Sequence, residues 1–241
     1  MDPRISTITK GLKEFFEKAG FQKAVVGLSG GVDSALTAKF GVLALGKESV
    51  SAILMPYEGM SSSHSVEDAK AYAEELGIGY EVVPIRDFVE NYQKLPWQAS
   101  EYAHMNVQAR ARATILYHYA NTHRALVLGT GNKTEETLGY FTKYGDGAVD
   151  VLPIGSLYKT EVWAMAKELG LPEAIINKAP SAELREGHTD EDEIGMSYAQ
   201  MDEILQKLEA GGKAESELEQ KIYTRIQANA HKSAMPPVIG S

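Results

Sequence analysis

The chain has 241 residues, 44% of them hydrophobic and 24% charged, with a formal net charge of −9 and no Cys. That composition belongs to a globular protein with a substantial core, either one large α/β domain or a domain with a helical addition. The absence of Cys excludes disulfides, thiolate metal sites and a cysteine nucleophile, and the acidic balance argues against general nucleic-acid affinity.

Taken in order, strands and helices alternate. Met1-Asp2-Pro3-Arg4 leads into an amphipathic helix rather than a signal peptide, with Ile5, Ile8, Leu12, Phe15 and Phe16 on one side. Lys23 to Leu28 is short, β-branched and suited to a buried strand. A turn of small residues, Ser29-Gly30-Gly31, follows, and a helix from Asp33 places Leu36, Phe40 and Leu43 on one face. Ser49 to Met55 is a second strand. Ser65 is a candidate N-cap for the next helix, and Gly77 closes it. Tyr80 to Ile85 is a third strand, Ser100 to Thr122 a long helix, and Ala125 to Leu128 a strand ending in a second small-residue turn, Gly129-Thr130-Gly131-Asn132. This alternation implies a doubly wound parallel sheet covered on both faces, with both turns at strand carboxyl ends and facing one crevice. After about Ser181 the strand signal stops. The remainder is acidic and helical, and residues 179–190 read as a mobile loop. No apolar run approaches the ~20 residues needed to span a bilayer, so no membrane partner is expected, and a reducing cytosol suits the chain.

The first turn carries the chemistry. Glycines let the backbone bend sharply and let an anion approach the amide N–H groups, and the helix start adds unpaired donors and the positive end of its dipole. It is not a Walker A loop, because no lysine closes it. A near-match at residues 41–48 has Glu48 where Ser or Thr is needed, and reads as a glycine helix stop at Gly46. Gly27-Leu28-Ser29-Gly30-Gly31 satisfies the nucleophile-elbow pattern, but only 28 residues precede Ser29 and none forms a His-Gly-Gly segment. The remaining reading is Ser-Gly-Gly-x-Asp-Ser, which resembles the pyrophosphate loop of the N-type ATP pyrophosphatases.

The second half adds polar positions that packing does not require: Gly129 to Glu136, the glycine- and aromatic-rich Gly139 to Gly147, and Leu152 to Lys159. Singly, Thr134 reads as a helix cap, Glu135 as a dipole partner and Lys159 as a solvated lysine. Together with Asn106 to Arg112, Asp150, Pro180 to Leu184 and His231-Lys232, they closely resemble the ammonia-dependent NAD synthetases over nearly the whole chain, in the right order.

That resemblance implies a single NAD synthetase domain over residues 1–241, with an adenine-nucleotide α-hydrolase-like core over about 20–180 and a helical part over about 190–232. It implies amidation of deamido-NAD by ammonia with ATP as co-substrate and Mg²⁺ as cofactor, in a cytoplasmic homodimer whose substrate site uses both subunits. ATP contacts fall on Gly27, Leu28, Ser29, Gly30, Gly31, Val32, Asp33, Ser34, Thr130, Lys159 and Ser181. Asp33 and Glu135 would ligate Mg²⁺. Arg110, Lys143, Asp150, His231 and Lys232 would bind deamido-NAD, and Asp146 would position ammonia. The catalytic set is then Asp146, Lys159 and Asp33. One departure is His188, where the family often has glutamine. A different adenylating amidotransferase or thiolase, and a non-catalytic nucleotide sensor, are the competing readings; the lack of Cys disfavours thiolation.

Other features are weaker. The six His residues never form an H-x-x-x-H pair, so zinc is not expected. Asp190-Glu191-Asp192-Glu193 lacks the EF-hand spacing and reads as a solvated helix start. Tyr102, Met105, Ala109, Ala113 and Leu116 form a stripe suited to core packing or to a helix–helix surface.

Overall fold

In the computed structural model, residues 2–59, 63–180 and 190–240 are described. Four strands, β1 (Lys23–Gly27), β2 (Val50–Leu54), β3 (Gly79–Val82) and β4 (Ala125–Leu128), form a parallel sheet in the order β3-β2-β1-β4 among these residues. The register pairs Val26 with Ala52 on one side and with Leu128 on the other.

Alternation along the strands explains the two coats. Ala24 and Val26 point to one face and Val25 to the other, and all three are buried. The first face is covered by α1 (Pro3–Ala19), α2 (Val32–Leu45), α3 (Ser63–Leu76), α7 (Lys159–Glu168) and α8 (Glu173–Ile176). The second is covered by α4 (Arg86–Glu90) and α5 (Glu101–His123). A third apolar cluster joins α6 (Lys133–Leu138) to α9 (Asp190–Ile194), α10 (Tyr198–Glu209) and α11 (Glu217–Asn229). The doubly wound parallel sheet is thus present, and the helical C-terminal part docks on the end of the sheet that carries β4 through α6 and α7.

Local signals place most boundaries. Asp2 caps α1 by accepting from the Arg4 N–H at 2.9 Å. Ser100 caps α5 by accepting from the Ala103 N–H at 3.2 Å. Gly46, at φ 82°, ends α2 as a glycine stop. Three expectations change. The helix near Ser65 begins at Ser63, so Ser65 is no N-cap; it sits buried in the first turn, accepting a bond from the Lys178 ammonium. β3 ends at Val82 because the next ladder bond would need an N–H from Pro56 of the neighbouring chain segment, although Val83 and Ile85 still bond the Leu54 and Pro56 carbonyls at 2.8 and 2.9 Å. Leu36 and Phe40 are buried, but burial falls away in the last turn of α2, where Leu43 is exposed.

Candidate functional site

The turn after β1 holds its shape by its own hydroxyls. Ser29 Oγ accepts from the Gly31 N–H at 3.2 Å and lies 3.1 Å from Ser34 Oγ. Ser34 Oγ accepts from the Ser29 N–H at 3.2 Å and donates to the Gly31 carbonyl at 2.9 Å. Gly31 occupies the N-cap of α2 with no side chain to cap the helix, which leaves the first N–H groups available to a ligand. Gly30 takes φ +80°, and a Cβ there would collide with the Ser65 carbonyl of α3.

The turn after β4 lies beside it, because β1 and β4 are sheet neighbours. Asn132 and Glu135 form a reciprocal capping box at the start of α6. The Asn132 amide also donates to Asp33 Oδ1 at 2.9 Å and so ties the two turns together. Lys159, the first residue of α7, is no solvated lysine. Its side chain is 2% exposed, its ammonium bonds Asp33 Oδ2, and it stands 3.8 Å from Glu135 Oε1. It also lies over the rings of Tyr198, at 5.1 Å, and Trp163, at 5.8 Å.

Asp202 of α10 fixes this lysine from behind. It accepts from Thr134 Oγ1 at 2.5 Å, from the Thr160 N–H at 2.9 Å and from Thr160 Oγ1 at 2.7 Å. Thr134 Oγ1 in turn accepts from the Lys159 N–H at 2.9 Å. Thr134 is therefore a buried bridge and not the cap of α6. Asp190 is likewise no solvated helix start; it is buried, accepting from Tyr198 Oη at 2.9 Å and Tyr140 Oη at 3.3 Å.

Charge and burial contend here. Burial opposes the charge on Lys159, but the Asp33 and Glu135 carboxylates outweigh it and hold the ammonium above its ordinary range. Glu135 is pushed up to about 8, first by burial and then by repulsion from Asp33. Burial also raises Asp190 and Asp146. Folded, ligand-free protein should therefore keep the Glu135 proton well above the 4.5 at which the unfolded chain releases it. Between those values the native state binds more protons, so this group's contribution to stability is full at low pH and is lost as pH rises to about 8. Glu135→Gln is expected to flatten that decline. Urea midpoints of both proteins across this range, without nucleotide or divalent cation, check it; equal slopes would contradict it.

These groups share a cavity of about 620 Å³. Gly27, Leu28, Ser29, Gly31, Val32, Asp33, Ser34, Thr130, Glu135, Asp146, Lys159 and Lys232 all line it, while Gly30 turns its back to α3. Asp146 Oδ1 accepts from the Thr142 N–H at 2.9 Å, and Lys232 donates to the Gly139 and Phe141 carbonyls at 2.7 and 2.9 Å. The stripe Tyr102, Met105, Ala109, Ala113 and Leu116 on α5 walls this cavity.

Arg110, Lys143, Asp150 and His231 do not reach the cavity wall. Three of them form a chain on its outer side: Arg110 donates to the Lys143 carbonyl at 3.2 Å, and Lys143 Nζ to the His231 carbonyl at 2.6 Å. Asp150 accepts from the Val127 N–H at 2.7 Å and from Tyr117 Oη at 3.2 Å. Tyr117 lines a second hollow over α5, of about 380 Å³, which shares Ala113 and Ala148 with the main cavity. Ser181 and His188 lie outside the described residues, as does most of the loop expected over 179–190. Sequence reasoning gave no role to Asn132, Asp190, Tyr198 or Asp202. The N-x-x-E spacing would have exposed the first; the others act only through contacts distant in sequence.

Known proteins resemble the chain along nearly its full length. The NAD synthase family model matches residues 4–236. An NH(3)-dependent NAD(+) synthetase of Archaeoglobus fulgidus is 45% identical over 234 residues, which cover 97% of this chain and 95% of that protein. One of Methanococcoides burtonii is 47% identical over 234 residues, 92% of this chain and 89% of that protein. Among solved structures, an NMN synthetase of Francisella tularensis superposes with TM-score 0.90 at 31% identity, covering 99% of this chain and 98% of that one. An NH3-dependent NAD synthetase of Campylobacter jejuni, in complex with nitrate, gives 0.86 at 34% identity and 99% coverage of both chains. With the strand-end turns and the buried lysine in place, these matches show that the chain belongs to the NAD synthase family.

Proposed function

We propose that the chain amidates deamido-NAD with ammonia, using ATP and releasing NAD, AMP and pyrophosphate. The observation that carries this reading is the convergence of two strand-end turns, joined by the Asn132–Asp33 bond, with Lys159 on one cavity. A carboxylate is a poor electrophile because its leaving group would be oxide. Its oxygen attacks the α-phosphorus of ATP, the bond to the β-phosphoryl oxygen breaks, and pyrophosphate departs. In this reading the first N–H groups of α2 and the Lys159 ammonium meet that charge as it grows. Ammonia then attacks the carbonyl carbon of the acyl adenylate, AMP leaves, and the nitrogen loses a proton. Asp146 is the candidate to receive it and to hold the incoming nitrogen, and its raised pKa suits that exchange. Thr130 and Ser181 complete the ATP contacts in this reading.

Asp33 and Glu135 are the residues that would hold Mg²⁺. The donor set fits: both are carboxylates, hard oxygen donors that converge on one cation, and their mutual repulsion is part of what raises Glu135. Bound Mg²⁺ supplies positive charge to phosphate oxygens. The acid substrate is assigned to Lys232 inside the cavity and to Arg110, Lys143, Asp150 and His231 outside its wall. That those four lie outside the cavity of one chain favours a site completed by a second copy in a homodimer. All three apolar clusters serve one site, in keeping with a single domain. A cytoplasmic location accompanies the need for ATP; among the described residues no helix is long and apolar enough to cross a membrane.

The similarity to an NMN synthetase favours a second reading, in which the acid is the mononucleotide rather than the dinucleotide. The identities of 45% and 47% to NAD(+) synthetases, and a second hollow that shares Ala113 and Ala148 with the first, favour the dinucleotide. The test is to supply the purified chain with Mg-ATP, ammonium and either deamido-NAD or nicotinate mononucleotide, and to assay amide and pyrophosphate. Preferential turnover of the mononucleotide would support the second reading. Neither product from either acid would reject both.

A further inference from the structure

A cavity proposed to receive polyanions is walled by acids: Asp33, Glu101, Glu135, Asp146, Asp190 and Glu193 line it. Its cations are mostly engaged. Lys159 bonds Asp33, Lys232 holds two carbonyls, Arg112 donates to the Met55 carbonyl at 3.0 Å, and Lys178 bonds Ser65.

Arg225 of α11 differs. It lines the cavity, and among the described residues its buried Nε has no hydrogen-bond partner and its guanidinium forms no ion pair. A ring holds it in place: Cζ lies 5.2 Å from the centroid of Tyr140. The Tyr140 hydroxyl is itself fixed by Glu193 at 2.8 Å and Asp190 at 3.3 Å. The helix beneath is anchored by buried Ile222 and by Asn229, whose amide donates to the Leu138 carbonyl at 3.3 Å. A guanidinium that lines a cavity with no acidic partner is a charge that a ligand oxyanion would offset. A guanidinium held over a ring presents a planar fork suited to a two-oxygen acceptor.

We propose that Arg225 is a substrate-binding residue that takes an oxyanion, phosphoryl or carboxylate, of a ligand in this cavity. The inference rests on the amidation reading only in naming the two ligands that bring such a group, ATP and the acid substrate. Titration calorimetry of Mg-ATP alone and of deamido-NAD alone, on the wild-type chain, Arg225→Leu and Arg225→Lys, tests it. Arg225→Leu is expected to weaken one of the two ligands about 10- to 100-fold, and Arg225→Lys to recover part of that loss, with circular dichroism unchanged. The ligand affected identifies the source of the oxyanion. A folded Arg225→Leu that binds both ligands within about twofold of wild type would overturn the proposal and leave Arg225 as packing on Tyr140. Should that variant not fold, Arg225→Gln supplies the same comparison. Failure of wild type to form NAD would reject the amidation reading but leave the Mg-ATP arm able to judge Arg225.

Discussion

Asp33→Ala is expected to reduce pyrophosphate release about 10³-fold or more. Asp33 bonds the Lys159 ammonium and the Asn132 amide, so its loss frees a buried lysine and cuts the tie between the two turns. Removing one member of a buried pair costs several kcal/mol, because the remaining charge is left without compensation. The same substitution takes away one of the two carboxylates assigned to Mg²⁺. Asp33→Asn separates the effects in part: it retains one side-chain oxygen, for Lys159 or for Asn132, but not the charge. If the metal role is correct, both variants fail in a quenched assay of pyrophosphate. Full release by Asp33→Asn would remove the metal role and leave only a positioning one.

Gly30→Ala is expected to lose about 2–4 kcal/mol of stability and most affinity for ATP. Two costs combine. The residue sits at φ +80°, which an L side chain resists, and the added Cβ would strike the Ser65 backbone, which cannot swing aside as a side-chain tip could. The turn would have to open, displacing Ser29 and the amides that follow. Gly46→Ala is the control. It has φ +82°, but nothing lies within 4 Å of the added carbon. It should cost about 1–3 kcal/mol of backbone strain and leave ATP binding unchanged. Thermal melts and nucleotide titrations of both variants check this, and equal effects on ATP affinity would show that the collision with Ser65 is unimportant.

What could be read from the sequence was what local chemistry decides. The β1 strand, its glycine turn and α2 lie within about twenty consecutive residues, so their propensities and dihedral needs are visible together. Gly46 and Ser100 announced helix ends for the same reason. Long-range contacts were hidden. Lys159 looks like any lysine until Asp33, 126 residues away, is placed against it. Asp190 looks like the head of a solvated acidic helix until Tyr140 and Tyr198 close over it. Ser65 could not be told from a cap, because its burial depends on Lys178 and on the turn it braces. The α5 stripe had the right period for packing, and period alone does not distinguish a core from the wall of a cavity.

The Asp202 carboxylate reaches from α10 to hold the start of α7, and through Thr134 it steadies the backbone of Lys159. The last third of the polypeptide is therefore no ornament on a self-sufficient nucleotide-binding unit. A chain cut short before α10 would keep its sheet and its glycine turn yet lose the strut behind the buried Lys159. Trimming this enzyme to a smaller scaffold would have to begin by finding a substitute for one carboxylate.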